Sequence, residues 1–420
     1  MTNAYNDMAA LQMNISCLIF LQVLLLLLSL FAQTNAQGLK VGFYDNTCPK
    51  AEGIVKKSVL DAIKKDRTIG APLLRMFFHD CFVRGCEGSV LLELKNKKDE
   101  KNAPPNLSLR GFEIIDNVKE AVEKECPGVV SCSDVLALVA RDAVVALNGP
   151  SWGVETGRRD GRVTNINEAR ANLPSPFDNI TSLITQFRSK GLDKKDLVVL
   201  SGPDSYVARV WVTKLYAAEA TCGGNEERGG AEAGLIGVNG LRSKADRRRD
   251  GVKRKAQPHC TSCFLNWSSD QMWNPTDTGR HLGSRGGHTV GNGHCPLITN
   301  RLYNFTGKGD SDPNLDTEYA ANLRGRCKPT DTTTALEMDP GSFKTFDESY
   351  FKLVSQRRGF FQSDAALLDN QETKSYVLKQ TKSYGSTFFK DFGVSMVKMG
   401  RIGVLTGRAG EVRKKCRMVN

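Results

Sequence analysis

Eight cysteines constrain the fold of this chain more than any other feature of its sequence. Of the 12 cysteines among 420 residues, one lies in an apolar N-terminal run and three lie in a central segment of unusual composition. The others form an even set: Cys48, Cys81, Cys86, Cys126, Cys132, Cys295, Cys327 and Cys416. An even set in an exported chain predicts four disulfides, formed in an oxidising compartment. Spacing alone allows 105 pairings and leaves the connectivity open.

The N-terminus indicates that the chain is exported. Residues 15–31 are almost uninterruptedly apolar, and small residues follow at the positions that a signal peptidase prefers. We expect a signal peptide over residues 1–36. A membrane anchor is the alternative, because the run is close to the shortest length that spans a bilayer. Sequons for N-glycosylation suit the secretory route and occur at Asn106, Asn179, Asn266 and Asn304.

Apolar residues recur at helical spacing through most of the chain. Residues 51–66, 111–128 and 131–150 each have the pattern of an amphipathic helix, and paired Pro and Gly end the last two. Ser131 and Ser133 are both candidate N-caps of the third helix. Shorter helical patterns cover residues 179–191, 347–356 and 387–400. Strand signals are few, so we expect a mainly α fold.

Residues 203–286 differ in composition from the rest of the chain. They are rich in glycine, carry dense clusters of charge and have no sustained helical or alternating pattern. This composition predicts a disordered loop inserted into the domain of residues 37–420. Without this loop and the signal peptide about 300 residues remain, which suits one α domain.

The clearest chemical motif contains Arg75 and His79. Residues four apart share one face of a helix, so both side chains can reach one small ligand, with Phe78 as a wall of the pocket. A neutral imidazole can take a proton from peroxide and return it to the departing oxygen. A fixed guanidinium can stabilise the negative charge that develops as the O–O bond breaks. A structural histidine beside a surface arginine is the alternative.

Two clusters of oxygen-bearing residues are of the kind that a hard cation such as Ca²⁺ prefers. The first comprises the side chains of Asp80, Glu87 and Ser89 with the carbonyls of Val83 and Gly85. The second comprises Thr289, Asp339, Ser342 and Asp347. Loops whose acidic side chains only face water are the alternative.

His288 is a candidate haem ligand. A neutral histidine that donates its other ring proton to a carboxylate makes a strong, oriented ligand for haem iron. Asp364 is a candidate for that carboxylate. Spacing alone does not show whether the two side chains are adjacent.

These motifs resemble those of the plant secretory (class III) haem peroxidases, of the horseradish peroxidase type. The resemblance covers nearly all of residues 37–420 except 203–286. It rests on many ordered matches: FYDNTCP, LLRMFFHDCFVRGCEGSVLL, DEKNAPPN, VSCSDVLALVARDAV, GPSWGVETGRRDG, ANLPSPF, GHTVGNGHC, RLYNF, FDESYF, QSDAALL and VRKKCRMVN.

The resemblance implies a mainly α, two-lobed fold with one haem b between a distal and a proximal lobe, two Ca²⁺ ions and four disulfides. Arg75 and His79 look like the distal pair that cleaves hydrogen peroxide. Asn106 looks like the residue that hydrogen-bonds His79 and keeps it basic. His288 looks like the iron ligand, with Asp364 holding its other nitrogen.

The resemblance also implies the ligands of both calcium ions. The distal site would use Asp80, Val83, Gly85, Glu87 and Ser89, with Glu100 tied to it through water. Glu87 stands where the family usually has Asp. The proximal site would use Thr289, Asp339, Ser342, Thr345 and Asp347. Pro174 resembles the proline whose carbonyl contacts phenolic donors. The implied disulfides are Cys48–Cys126, Cys81–Cys86, Cys132–Cys416 and Cys295–Cys327.

The insertion is the main departure from the family, whose members run directly from Leu-Ser-Gly into Gly-His-Thr. Here it separates Gly202 from Gly287 and abuts His288. Strain at the iron ligand would impair haem binding, so a catalytically impaired, secreted cell-wall protein is the alternative function. We interpret the insertion as a disordered loop or as translated non-coding sequence. Its solitary Cys260-x-x-Cys263 pair argues against a metal or redox site.

The chain is basic, with 58 Lys and Arg against 46 Asp and Glu and a formal charge of +12. Such a surface suits polyanions, and acidic cell-wall polysaccharide is the partner that fits a secreted chain. A solvated basic surface without a partner is the alternative. The basic run at 247–255 lacks interleaved aromatic residues, so we expect no nucleic-acid partner. We expect a secreted monomer that acts on hydrogen peroxide and small phenolic donors, with no membrane contact after signal cleavage.

Overall fold

The computed structural model describes Gln22 and residues 38–201, 292–340, 345–382 and 386–420. All of these residues belong to one structural unit. Several sequence predictions fall outside the described residues: the signal peptide apart from Gln22, the insertion at 203–286, and the roles of His288, Thr289 and Ser342.

Helices dominate the described residues. In chain order they are α1 (Ala51–Lys65), α2 (Gly70–Val83), α3 (Phe112–Glu125), α4 (Cys132–Ala146), α5 (Ile166–Asn172), α6 (Ile180–Ser189), α7 (Lys194–Ser201), α8 (Thr299–Tyr303), α9 (Thr317–Arg326), α10 (Ser349–Ser355), α11 (Gln362–Ala366), α12 (Gln371–Gln380) and α13 (Ser386–Met399). Two strands, β1 (Asn292–His294) and β2 (Ala335–Glu337), pair antiparallel with Gly293 opposite Leu336. The expected mainly α fold is confirmed.

The first four helices build the core around the candidate site. α1 buries Val55, Val59 and Ile63, which form one apolar stripe of an amphipathic helix. α2 differs, because every one of its residues is buried. It packs against α4, while α1 packs against α3 and α4. The helix that carries the candidate catalytic residues is therefore enclosed by other helices.

Ser131 caps α4, which settles the choice between the two candidate caps. Its hydroxyl oxygen accepts a hydrogen bond from the backbone N–H of Asp134 at 3.1 Å, as an N-cap does. The Ser133 hydroxyl instead donates to the carbonyl of Cys86 at 2.7 Å. That bond joins the start of α4 to the loop that follows α2.

A second hydrophobic cluster surrounds the strand pair and includes Leu302, Tyr319, Leu336, Phe360 and Phe361. Arg301 is buried beneath it and pairs with Asp312 at 2.6 Å. The same guanidinium donates to the carbonyls of residues 359 and 360. These bonds satisfy buried backbone groups just before α11, the helix that carries Asp364.

Four disulfides join the described chain, in the pairs that the family resemblance implies: Cys48–Cys126, Cys81–Cys86, Cys132–Cys416 and Cys295–Cys327. Cys132–Cys416 spans 284 positions and fastens the C-terminal segment to α4. Closing so long a loop restricts the unfolded chain more than a short loop does. In the described part of the chain no helix combines the length and apolar character needed to cross a bilayer.

Candidate active site

Arg75 and His79 lie side by side on α2, and both side chains are buried. Arg75 Nε donates towards His79 Nε2, and the two atoms are 3.2 Å apart. The spacing of four residues places both side chains on one face of α2, where the guanidinium lies beside the imidazole. Burial strengthens the electrostatic effect of the guanidinium on any charge that develops beside it.

Asn106 determines which nitrogen of His79 carries the proton. Asn106 Nδ2 donates to the carbonyl of Glu100 at 2.8 Å, so its Oδ1 is the atom that faces His79 Nδ1, at 2.5 Å. An amide oxygen only accepts hydrogen bonds. Nδ1 therefore carries the proton, and Nε2, on the side of Arg75, keeps its lone pair and is the basic nitrogen.

The ring of Phe78 is held by two other aromatic side chains. It stacks on Phe82 with a centroid distance of 3.8 Å, and the ring of Phe187 lies 6.3 Å away. These contacts anchor α2 against α6. The contact of Phe78 with haem stays a prediction.

The loop after α2 collects buried oxygen atoms. The Asp80 carboxylate accepts hydrogen bonds from the backbone N–H groups of Gly88 at 2.8 Å and Val90 at 3.3 Å. Ser89 Oγ and both carboxylate oxygens of Glu100 are buried, and the described residues offer them no hydrogen bond of normal geometry. Burial raises the pKa of Asp80 to about 7. Burial, and then the charge of Asp80, raise the pKa of Glu100 well above its usual value, and the nearby Ser89 hydroxyl offsets part of this rise.

This set of oxygen atoms fits a hard cation, because buried carboxylates need a compensating charge. Within the described ranges no three Asp, Glu, His or Cys side chains form a metal site by themselves. A cation here therefore needs hydroxyl and carbonyl ligands as well, and Ser89, Val83 and Gly85 can supply them. The Val83 carbonyl also accepts a hydrogen bond from Lys190 Nζ at 3.3 Å, which uses one of its two lone pairs.

Glu87 lies in this loop and forms an ion pair with Arg84. Its Oε1 accepts a hydrogen bond from Arg84 Nε at 3.0 Å. Arg84 Nη1 also pairs with Glu168 on α5 at 2.6 Å. Arg84 thus links Glu87 in the loop to Glu168 on α5, and the side chain of Glu87 is one methylene longer than the Asp that the family usually has here. The role of Glu87 as a calcium ligand stays a prediction.

Asp364 is buried in the first turn of α11. Its Oδ1 accepts a hydrogen bond from the Tyr350 hydroxyl at 2.7 Å, and its Oδ2 accepts one from the Phe361 N–H at 2.8 Å. Because His288 lies outside the described residues, its pairing with Asp364 stays a prediction. Sequence reasoning missed Tyr350, although it stands in the quoted motif FDESYF.

The described members of the proximal calcium set lie close together along the chain. Asp339 is buried, while Thr345 and Asp347 are half-buried. Asp347 Oδ1 accepts a hydrogen bond from the Ser349 N–H at 2.9 Å, at the start of α10. The assembly of this set into one site stays a prediction.

Pro174 is buried in the segment that follows α5. Two residues later, the carbonyl of Pro176 accepts a hydrogen bond from the Ser363 N–H at 3.0 Å. This bond ties the segment to α11, the helix of Asp364. The contact of Pro174 with phenolic donors stays a prediction.

Known proteins match this chain over most of its length. A family model described as Peroxidase matches residues 55–215 and 282–383. The chain is 69% identical to Peroxidase 56 of Arabidopsis thaliana over 413 residues, which covers 98% of this chain and 100% of that protein. The chain belongs to the plant peroxidase family.

Two further relatives support the same assignment. This peroxidase is 60% identical to Peroxidase 27 of Arabidopsis thaliana, with 94% of this chain and 97% of that protein covered. It is 42% identical to Peroxidase 1 of Oryza sativa subsp. japonica, again over 94% and 97%. The chain is therefore a haem peroxidase enzyme. The interruption of the family match between residues 215 and 282 lies inside the expected insertion.

Two contacts of Arg75 in this peroxidase were missed by sequence reasoning. Arg75 Nη1 donates to Ser108 Oγ at 2.9 Å, and Nη2 donates to the carbonyl of Pro105 at 2.7 Å. These partners lie 33 and 30 positions further along the chain. No local spacing connects residues so far apart. The only indication in the sequence is that Pro105 and Ser108 lie next to Asn106 in the chain.

Proposed function

We propose that this peroxidase reduces hydrogen peroxide while oxidising phenolic or other small aromatic donors in one-electron steps, with one haem b and two Ca²⁺ ions. The observation that carries the proposal is the buried arrangement of Arg75, His79 and Asn106, with His79 Nε2 as the basic nitrogen beside the guanidinium. Membership of the plant peroxidase family supports the use of haem and of peroxide.

His79 and Arg75 would play different roles in breaking the O–O bond. His79 Nε2 takes a proton from one peroxide oxygen and delivers it to the other, which leaves as water. Arg75 stabilises the negative charge on the departing oxygen. When bound, the haem supplies the redox chemistry that stores two oxidising equivalents and releases them singly. One H₂O₂ and two phenols thus give two waters and two phenoxyl radicals.

Three residues would hold the haem or orient its ligand: His288, Asp364 and Phe78. His288 would bind the iron, and Asp364 would accept a hydrogen bond from the other ring nitrogen of His288 and keep the imidazole electron-rich. Phe78 would form part of the distal wall. The hydrogen bonds of Asp364 with Tyr350 and Phe361 support this role, because they fix the carboxylate in one orientation.

The proposed calcium ions would stabilise the loops that flank the haem. The distal ion would be held by Asp80, Val83, Gly85, Glu87 and Ser89, with Glu100 nearby. The buried oxygens of Ser89 and Glu100 support this assignment, because the described residues offer them no hydrogen bond of normal geometry. The proximal ion would be held by Thr289, Asp339, Ser342, Thr345 and Asp347.

The setting that we propose is the cell wall of the plant. The apolar N-terminal run and the disulfides support secretion, and the charge of +12 supports an association with anionic polysaccharide. We propose that the enzyme acts as a monomer, with Pro174 contacting the donor.

The test compares the haem-loaded full chain with Arg75→Leu and His79→Ala variants in peroxide-dependent oxidation of guaiacol. We expect each variant to lose about 100-fold or more in turnover, because acid–base catalysis and charge stabilisation each contribute at least about that much. Arg110→Leu, at an exposed arginine, is the matched control and should retain wild-type turnover. Undiminished turnover in either distal variant would remove these residue roles. Failure of the haem-loaded wild type to oxidise guaiacol would remove the proposed donor class.

A further inference from the structure

We propose that Ser108 is a positioning residue for Arg75: its hydroxyl holds the guanidinium plane in the orientation that peroxide cleavage requires. The proposal rests on the function proposed above. Arg75 Nη1 donates to Ser108 Oγ at 2.9 Å across 33 positions of sequence. Ser108 is half-buried, whereas Arg75 is fully buried.

Hydrogen bonds from both terminal nitrogens hold the outer end of the guanidinium. Nη2 donates to the carbonyl of Pro105 at 2.7 Å, and Nη1 donates to Ser108. Bonds at separate nitrogens define the plane of the rigid fork more closely than one bond does. The Pro105 carbonyl belongs to the backbone, so of these two acceptors only the Ser108 hydroxyl can be removed by a side-chain substitution.

The orientation matters because the third nitrogen of the same group faces the base. Arg75 Nε lies 3.2 Å from His79 Nε2, the atom that must receive the peroxide proton. In the structure the lone pair on His79 Nε2 accepts the hydrogen bond from Nε, so the position of the guanidinium decides whether the lone pair can be released to the peroxide proton. A guanidinium that turned further towards His79 would hold that bond more tightly and would move positive charge away from the departing oxygen. Catalytic groups tolerate only small displacements from the productive geometry.

One short segment therefore positions both distal side chains. Asn106 Oδ1 accepts a hydrogen bond from His79 Nδ1, while Pro105 and Ser108 accept hydrogen bonds from Arg75. Asn106 lies in the 3₁₀ turn Pro104–Asn106, and Ser108 follows two positions later. The Asn-Leu-Ser sequence matches a glycosylation sequon, but in the folded protein both polar side chains contact the catalytic pair.

Ser108→Thr and Ser108→Val give a matched test, because the two side chains have nearly the same shape and differ by the hydroxyl. The haem-loaded full chain is measured in three ways: the rate constant for reaction with peroxide, the affinity of the ferric protein for fluoride by absorbance, and the KM for guaiacol. Fluoride is an anion that accepts hydrogen bonds from a correctly placed guanidinium.

We expect the Thr variant to match the wild type. We expect the Val variant to lose about 10-fold in both the peroxide rate constant and fluoride affinity, as one charge-assisted hydrogen bond is lost. The guaiacol KM should change by less than about twofold in both. Where valine prevents haem uptake, Ser108→Ala, which only deletes the hydroxyl, gives the same comparison with the wild type.

Equal peroxide rate constants and fluoride affinities in the Thr and Val variants would overturn the proposal. So would a Val variant whose peroxide reaction slows only in proportion to a loss of bound haem. Arg75→Leu separates this proposal from the one it rests on. If that variant reacts with peroxide at the wild-type rate, the function proposed for Arg75 fails. If Arg75→Leu is slow but the Thr and Val variants are equal, only the role of Ser108 fails.

Discussion

Replacing Asn106 by valine removes the acceptor that orients the ring of His79. The Asn106 side chain makes two buried hydrogen bonds, one with His79 Nδ1 at 2.5 Å and one with the carbonyl of Glu100 at 2.8 Å. As His79 Nε2 gains the peroxide proton, the ring becomes cationic and its bond from Nδ1 to Asn106 strengthens. A hydrogen bond to a charged group contributes about 1–2 kcal/mol more than a neutral one. Only this difference acts on the rate, because the neutral bond is lost in the resting state too, and it corresponds to a rate loss of about 5- to 30-fold.

Stopped-flow measurement of the second-order rate constant for peroxide tests this expectation on haem-loaded protein. Asn179→Val is the matched control, because Asn179 is exposed and caps α6 through the Ser182 N–H at 2.9 Å. Loss of that cap should lower the Tm, at a cost of about 1 kcal/mol, and leave the peroxide rate constant unchanged. A folded Asn106→Val protein that reacts within twofold of the wild type would refute the role given to Asn106.

Three further outcomes follow from the buried polar groups. Chelation would remove the calcium ion that we propose offsets the buried carboxylates of Asp80 and Glu100, so we expect a lower Tm that added Ca²⁺ restores. An unchanged calorimetric Tm would count against the distal calcium site. Among the three sequons within the described residues, Asn179 and Asn304 are exposed while Asn106 is buried. Peptide mapping of active secreted enzyme should therefore find glycans at Asn179 and Asn304 and none at Asn106. A glycan at Asn106 would contradict its observed contact with His79. Tyr350→Phe removes a hydroxyl donor from Asp364, so the carboxylate should attract the His288 ring proton more strongly and the reduction potential of the haem should fall. An unchanged or higher potential in spectroelectrochemistry would contradict a hydrogen bond between Asp364 and His288.

The helices that the sequence predicts best are those with one exposed face. α1 has apolar residues on one side and charge on the other, and its observed span ends one residue before the expected one. α9 and α12 were missed, because their short apolar stripes are interrupted by polar residues. α2 has no exposed face, because all of its residues are buried, so apolar periodicity does not mark it as a helix in the sequence.

Contacts between side chains within one turn of a helix can be predicted from sequence, whereas contacts between distant parts of the chain cannot. The Arg75–His79 contact follows from a spacing of four. The bonds of Asn106 and Ser108 to these side chains cross 27 and 33 positions, and only the tertiary fold brings them together. The family resemblance predicted the bond between Asn106 and His79. No motif predicted the contact of Ser108 with Arg75, because the sequence marks Ser108 only as the third residue of a glycosylation sequon. Disulfide connectivity has the same limit, since many pairings fit the spacing.

Haem titration of the full chain and of two single variants examines whether the two histidines act on opposite sides of one porphyrin. The wild type and His79→Ala should each bind one haem with the same ligand spectrum, and only His79→Ala should lose its fast reaction with peroxide. His288→Ala should lose the histidine–iron signature. An unchanged iron spectrum in His288→Ala, or wild-type peroxide reactivity in His79→Ala, would contradict the division of roles between them.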